Sequence, residues 1–235
     1  MLRAIIHKRR RELSVEASIE LCPGESLGLF GASGAGKSTV LACIAGIEQT
    51  DKGEITAFGQ RLHPPPLPLH QRPLGYLTQE PGLFPHLTVG ENVTFGLAKN
   101  QAHNGDTAVW IRTLRERLRL NQLWNAPASR ISGGQARRVG LARMLARRPP
   151  LVLLDEPFSG LDRQLVRELI DDLIAWSKLL GFSMIAVDHQ REVLKRLCPD
   201  RVAVIEHGRI VQTGTWDELQ ASPATPLLRS LLSPL

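Results

Sequence analysis

Apolar and polar positions alternate strictly from Ser14 to Leu21: Val15, Ala17, Ile19 and Leu21 take one side, Ser14, Glu16, Ser18 and Glu20 the other. A period of two predicts a strand with one covered face. Ser26–Phe30 is a short apolar run ending at a glycine, and residues 1–30 as a whole read as strands. At Lys37 the period changes. Val40, Leu41, Ile44 and Ile47 fall on one stripe, which predicts a helix over Lys37–Ile47. Gly53–Gly59 and Leu74–Thr78 return to strand patterns. Between them, His63-Pro64-Pro65-Pro66-Leu67-Pro68 is expected to be an extended surface loop, because proline fixes φ and donates no hydrogen bond.

Residues 85–150 change character. Asp106 is placed to cap a helix with Trp110, Leu114 and Leu118 on one face. A second helix is expected from Ser132 to about Arg147, where Pro149-Pro150 stops it. Strand-like runs resume at Leu151–Leu154, Met184–Val187 and Arg201–Ile205. A long helix over Gln164–Leu180, ended by Gly181, separates the first two. Val202–Ile205 and Arg209–Val211 flank Glu206-His207-Gly208, the pattern of a hairpin turn, and a further helix lies near Asp217–Gln220. Strands alternating with helices predict a mostly parallel α/β core, here with an N-terminal antiparallel β region and a helical insertion. The expected division is a core subdomain of about 1–84 and 150–235 and a helical subdomain of about 85–149, within one domain.

Composition narrows the classes. The chain has 235 residues, 43% hydrophobic and 22% charged, enough to bury a core and too apolar for wholesale disorder. Its longest apolar runs are four or five residues, such as Leu151–Leu154, so no spanning helix is expected. MLRAIIHKRRREL at the N-terminus has no apolar segment before its basic cluster, so no secretory signal is expected either. Cys22, Cys43 and Cys198 fit neither a disulfide frame nor zinc, which makes a reducing cytosol the expectation. The net charge of +6 permits nucleic acid or an anionic membrane as partner. No aromatic residue interleaves the clusters Lys8–Arg11, Arg112–Arg119 and Arg137–Arg148, so they read as solvated faces and nucleic acid is not expected.

Gly31-Ala32-Ser33-Gly34-Ala35-Gly36-Lys37-Ser38 fits G-x-x-x-x-G-K-[ST], with a strand before it and a helix after it. Glycines let the backbone turn several N–H groups toward one anion, and the helix start adds its positive dipole end. In this reading Lys37 reaches the β- and γ-phosphates, and the Ser38 hydroxyl, followed by Thr39, sits on Mg²⁺. Such a loop needs acidic partners. Leu151-Val152-Leu153-Leu154 is a buried parallel strand whose C-terminal end opens beside the loop. Asp155 is placed to hold the metal, and Glu156 to polarise the attacking water. The fold class is therefore a P-loop NTPase with a RecA-like core.

Ser132-Gly133-Gly134-Gln135 opens the second helix of the insertion. Ser132 is a good cap, and the two glycines leave backbone N–H groups uncovered, a second anion-binding geometry. One P-loop already envelops one triphosphate. The extra site fits a nucleotide whose other side is open, which a second copy of the chain would supply.

Ile131-Ser132-Gly133-Gly134-Gln135, with Arg137-Arg138-Val139 and Leu141-Ala142-Arg143, resembles the signature motif of ABC-transporter ATPases. In chain order, Gln79 looks like the Q-loop glutamine, Ser159-Gly160-Leu161-Asp162 like the D-loop, and His189 like the switch histidine. The resemblance implies an ATPase subunit on the cytoplasmic face of the membrane, working as a head-to-tail dimer. Each ATP would lie between one chain's P-loop and the other's Ser132–Gln135. It implies that His189 bridges the γ-phosphate and the partner's Asp162 region, and that Gln79 senses Mg²⁺ and couples to membrane permease subunits.

Gly82-Leu83-Phe84-Pro85-His86-Leu87-Thr88-Val89 and Glu91-Asn92-Val93 resemble the importers of molybdate, sulfate, polyamines and sugars, with the molybdate importers most similar. A periplasmic or extracellular solute-binding protein is then a further expected partner. Leu83 and Phe84 are expected to form a groove for a permease helix. The alternative is a soluble ABC-type ATPase gating a clamp on nucleic acid or ribosomes, a class that usually has two cassettes or a long coiled-coil arm. Three features depart from the family pattern. Such importers often carry a C-terminal regulatory domain of about a hundred residues; the sequence runs to Leu235, shortly after the helix near Asp217–Gln220, and the expectation is either that the regulator is absent or that this is the ATPase core only. No aromatic residue precedes Phe30 to stack on adenine, which leaves His7 or one of Arg9–Arg11. An acid, Asp188, stands before His189 where a small hydroxyl residue is common.

Overall fold

The computed structural model describes residues 1–10, 13–98 and 105–232. Three strands, β1 (Leu2–Arg9), β2 (Ser14–Leu21) and β3 (Ser26–Phe30), lead into helix α1 (Lys37–Ala45). Strands β4 (Lys52–Ala57), β5 (Gln60–His63) and β6 (Gly75–Leu77) follow. Helices α2 (Val89–Thr94), α3 (Gly105–Arg117) and α4 (Gly133–Ala146) come next, then β7 (Leu151–Asp155), α5 (Arg163–Leu180), β8 (Ser183–Val187) and α6 (Arg191–Leu197). The described chain closes with β9 (Val202–Glu206), β10 (Arg209–Gly214), α7 (Trp216–Ala221) and α8 (Pro226–Leu232).

All ten strands share one sheet, in the order β5-β4-β1-β2-β10-β9-β3-β8-β7-β6. From β9 to β6 every neighbouring pair is parallel. From β5 to β2 every pair is antiparallel. The two halves are stitched by β10, antiparallel to β9 and parallel to β2 at Arg209–Glu16. The parallel half is covered on both faces, which is why β7 is buried throughout rather than alternating. Val152 and Leu154 join the core built with Leu165, Leu169 and Leu173 of α5. Leu151 and Leu153 join the opposite core, with Leu41 and Ile44 of α1. The helical segment is tied to the sheet domain through Trp110, whose ring meets Trp176 edge-on at 5.2 Å and whose Nε1 donates to the Leu145 carbonyl at 2.9 Å. This is a P-loop NTPase fold.

Several element ends differ from the sequence pattern. Helix α1 stops at Ala45, because Gly46 turns left-handed (φ 86°) and caps it, leaving Ile47 exposed. Asp106 lies inside the first turn of α3 rather than at its cap. The proline run is not extended: the Leu67 N–H returns to the Leu62 carbonyl at 2.9 Å, and the chain turns back on itself. The hairpin turn is shorter than read. Glu206 pairs with Arg209, so only His207 and Gly208 turn, both with positive φ (48° and 80°). Helix α2 went unread although Thr88 and Glu91 form a complete capping box. All three cysteines are free. Among the described residues no helix is long and apolar enough to cross a membrane.

Candidate functional site

Parallel strands put their C-terminal ends on one edge of a sheet, so loops far apart in sequence open side by side there. Residues 31–38 follow β3, Thr78-Gln79 follow β6, Glu156 follows β7 and Asp188-His189 follow β8. This topology gathers most of the expected site. Gly31 leaves β3 at φ 151°, where a Cβ would overlap the Ile205 carbonyl oxygen of the neighbouring β9. Gly36 caps α1 in left-handed conformation with no side chain satisfying the helix N–H groups, which leaves that turn open to an anion. The hairpin turn between β9 and β10 braces the loop, as the Gly208 N–H donates to the Ala35 carbonyl at 3.0 Å.

Lys37 folds back over this loop and donates to the Gly31 and Ala32 carbonyls, both at 2.8 Å. Burial lowers its pKa, and Glu156 and Asp155 partly oppose that. Ser38 Oγ donates to Asp155 Oδ1 at 3.0 Å, and Tyr76 Oη donates to Asp155 Oδ2 at 3.3 Å. Burial raises the Asp155 pKa, while the bonds from Ser38 and Tyr76 pull it back. Glu156 sits at φ 50° with its N–H donating to the Val187 carbonyl at 2.9 Å. Its Oε2 lies 3.1 Å from His189 Nε2 and 3.4 Å from Gln79 Nε2. Ser33, Gly34, Gly36, Lys37, Ser38, Thr39, Glu156 and His189 line one cavity of about 830 Å³, together with Arg9, Arg10 and Leu13. Gly31, Ala32, Ala35, Gln79 and Asp155 are not among its lining residues, although Gln79 and Asp155 bond residues that are, Glu156 and Ser38. Of the residues weighed for stacking on a base, Arg9 and Arg10 line this cavity. His7 is not among the lining residues, and Arg11 lies outside the described residues.

Ser132–Gln135 do not line this cavity. Ser132 caps α4: its Oγ accepts the Gln135 N–H at 3.3 Å, and Gln135 Oε1 accepts the Ser132 N–H at 2.8 Å. Gln135 faces a different cavity, with Arg119 and Arg138. Asp162 caps α5 by accepting the Leu165 N–H at 2.9 Å and also stays outside the P-loop cavity.

The acid before His189 now has a physical account. Asp188 is buried, and its Oδ1 accepts the Gln190 N–H at 2.8 Å, the bond that a hydroxyl would make to shape the turn presenting His189. Two residues escaped the sequence reading of roles. Tyr76 supports Asp155. Arg137 is buried on α4, and its guanidinium donates to the Glu156 carbonyl at 2.7 Å and to the Gln79 carbonyl. One fork thus ties α4 to both loops. The available signal was its place on the stripe Arg137-Leu141-Met144, otherwise apolar. Arg137→Ala removes two charge-assisted bonds and is expected to destabilise the chain by about 3 kcal/mol. Thermal melting would show this as a fall of roughly 6–12 °C; a shift under about 2 °C would deny Arg137 that structural role.

A second cavity of about 470 Å³ lies beside Gln79's loop, lined by Leu69, His70, Tyr76, Phe84, Phe95, Arg143 and Arg147 among others. Phe84 stacks at 4.2 Å against Phe95, which is 58% exposed. Leu83 instead turns inward and packs on the core.

A family model described as ABC transporter matches residues 15–159. The Fe(3+) ions import ATP-binding protein FbpC 2 of Haemophilus influenzae is 39% identical over 213 residues, which cover 88% of this chain and 59% of that protein. The molybdate/tungstate import ATP-binding protein WtpC of Thermococcus kodakarensis is 38% identical over 221 residues, covering 94% and 66%. The chain therefore spans less than two thirds of either relative. A solved structure described as an ATP binding subunit of an ABC transporter superposes with a TM-score of 0.82 at 25% identity, covering 98% of this chain and 97% of that one.

Proposed function

The chain belongs to the ABC transporter family, and from that premise we propose that it is the ATP-binding subunit of an import system, hydrolysing ATP at a head-to-tail dimer interface. One observation carries this reading: Lys37, Ser38, Glu156 and His189 converge on one cavity, while Ser132–Gln135, the other anion-competent helix start, stand outside it. A nucleotide held in the first leaves the second without a substrate on its own chain, so a second copy completes the site.

Lys37 moves from the loop carbonyls to the β- and γ-phosphates, and the open turn at Gly34–Ser38 receives the phosphate oxygens. A hydroxyl, a carboxylate and an amide oxygen suit a hard cation, and Ser38 with Asp155 already meet at 3.0 Å. Ser38, Asp155 and Gln79 are the residues that would hold Mg²⁺, which neutralises charge on the phosphates. Glu156 takes the proton of the attacking water, and His189 holds the γ-phosphate against the partner's D-loop, which carries Asp162. The cavity beside Phe84 and Arg143 is the docking face for the permease, next to the loop whose Gln79 contacts Glu156. This subunit then sits at the cytoplasmic face of the membrane through that permease. The cargo we propose is molybdate or another oxyanion, delivered by a solute-binding protein; the 38% identity to a molybdate/tungstate import subunit supports it. Ferric ion is the competing cargo, from the relative at 39%.

Reconstitution with the permease and binding protein tests the whole reading. Wild type is expected to take up molybdate with internal MgATP. Ser132→Arg is expected to bind nucleotide as a monomer while uptake falls by at least about 10²-fold, because a bulky cation blocks the facing surface. Full uptake by Ser132→Arg would sink the sandwich; uptake of ferric ion and no oxyanion would sink the cargo.

A further inference from the structure

We infer that Tyr76 is a positioning residue of the metal site: its hydroxyl fixes the plane of the Asp155 carboxylate, and the metal affinity of the nucleotide-bound chain depends on that bond. The inference rests on the reading of Ser38, Asp155 and Gln79 as the residues that would hold Mg²⁺. Tyr76 belongs to no motif and stands on β6, the edge strand of the parallel half of the sheet.

Register explains how a residue so far away in sequence reaches Asp155. Asp155 ends β7 and is buried. In the parallel pairing of β6 with β7, Tyr76 lies opposite Leu153. Paired residues of parallel strands share a face of the sheet, and so do residues two apart on one strand. Tyr76, Leu153 and Asp155 therefore rise from one face, the face covered by Leu41 and Ile44 of α1. Ser38 stands in the first turn of the same helix. Two hydroxyls from two elements thus take one carboxylate oxygen each. Ser38 Oγ donates to Oδ1 at 3.0 Å, and Tyr76 Oη donates to Oδ2 at 3.3 Å.

The two bonds differ in what becomes of them. Ser38 is itself a metal ligand in this reading, so its oxygen is committed to the cation. Tyr76 Oη bonds no other group among the described residues, and its ring is held by packing on the core that contains Leu151 and Leu153. A phenol is protonated at neutral pH and can only donate to a carboxylate. The terminal torsion of an aspartate is broad and roughly two-fold, so a carboxylate without a second donor turns freely. With Oδ2 held by Tyr76, Oδ1 beside Ser38 is the oxygen left for the metal. Hydrogen bonds to a ligating carboxylate commonly carry about 10–100-fold in metal affinity. At 3.3 Å this one is long for a hydroxyl on a carboxylate, which puts its effect at the lower end of that range.

The test separates nucleotide affinity from metal affinity in the full chain. ATP binding is measured in EDTA, and Mn²⁺ and Mg²⁺ are then titrated into the complex with a non-hydrolysable ATP analogue, Mn²⁺ being followed by electron paramagnetic resonance. Tyr76→Phe keeps the ring and loses only the hydroxyl. It is expected to bind ATP in EDTA within about twofold of wild type, while the affinity of the analogue complex for both cations falls by about tenfold. A merely structural role would weaken nucleotide binding equally with and without metal. Tyr76 is the only tyrosine of the chain, so ¹³C-labelled tyrosine gives one set of ring signals. In wild type these are expected to shift when Mg²⁺ is added to the analogue complex. Cation affinity of Tyr76→Phe within about twofold of wild type would overturn the inference, as would ring signals that Mg²⁺ leaves in place or equal losses of nucleotide affinity in EDTA and in Mg²⁺. If Asp155→Asn loses cation affinity by about tenfold or more, those outcomes remove this inference alone and leave the metal site standing. Wild-type cation affinity in Asp155→Asn would remove both.

Discussion

Glu156→Gln is expected to lower steady-state ATP turnover by about 10²–10⁴-fold, the contribution of a positioned general base, while MgATP binding persists. The residue's backbone is pinned on both sides. Its N–H donates to the Val187 carbonyl, and its own carbonyl accepts from Arg137. A non-glycine residue at φ 50° is held there only by such surroundings. The geometry directs the carboxylate into the cavity, 3.1 Å from His189 Nε2, with a side chain 17% exposed. Glutamine has the same shape and can still meet His189 and Gln79, but its amide accepts no proton from water. Binding and chemistry should therefore separate. The variant is expected to accumulate as an ATP-bound dimer, seen by size-exclusion chromatography with MgATP, and single-turnover hydrolysis should be slow. Turnover near wild type would show that Glu156 is not the base. A strictly monomeric variant with ATP bound would refute the shared site while leaving the base assignment standing.

Lys37→Ala is expected to weaken MgATP binding by roughly 10²–10⁴-fold, since two charge-assisted contacts to phosphate contribute about 3–6 kcal/mol together. The ammonium is half-enclosed, and burial already lowers its pKa, so little water competes for its protons. In this structure it bonds the Gly31 and Ala32 carbonyls, and those bonds must be released to reach the phosphates. The variant thus loses a brace of the free loop as well as a ligand contact. Its melting temperature without nucleotide should fall by a few degrees, about 1 kcal/mol per lost bond. The decisive observation is the stabilisation that MgATP adds on top of that baseline. Wild type should gain several degrees with saturating MgATP and the variant almost none. Equal gains would mean that the backbone N–H groups bind the phosphates alone.

The strands around the site were readable because their patterns are local. The alternation of β2, the four-residue apolar run of β7 and the stop at Gly181 each follow from the backbone of one segment. So did the P-loop, whose glycines, lysine and serine are contiguous. The missed elements had weaker or unusual signals. Helices α2, α6 and α8 have only six or seven residues, too few for a stripe, and β5 only four. The ends of α1 and of the β9–β10 turn were misplaced because a left-handed residue decides each of them. Tyr76 and Arg137 had no motif to mark them: their roles consist of bonds to Asp155, Glu156 and Gln79, residues 19–79 positions away.

The order of residues along the chain determined the phosphate loop, the buried acidic strand, the glycine-opened helix at Ser132 and the family they belong to, because each is a short stretch whose geometry depends on its neighbours in sequence. Only the tertiary structure decided which of them meet. Parallel pairing of β3, β8 and β7, with β6 beyond, brings Lys37, Ser38, Gln79, Asp155, Glu156 and His189 to one edge, and Arg9 and Arg10, at the end of β1, line the same cavity. Ser132–Gln135 lie outside the cavity, a placement that no local pattern encodes, since it depends on how α4 packs against α2, α3 and β6.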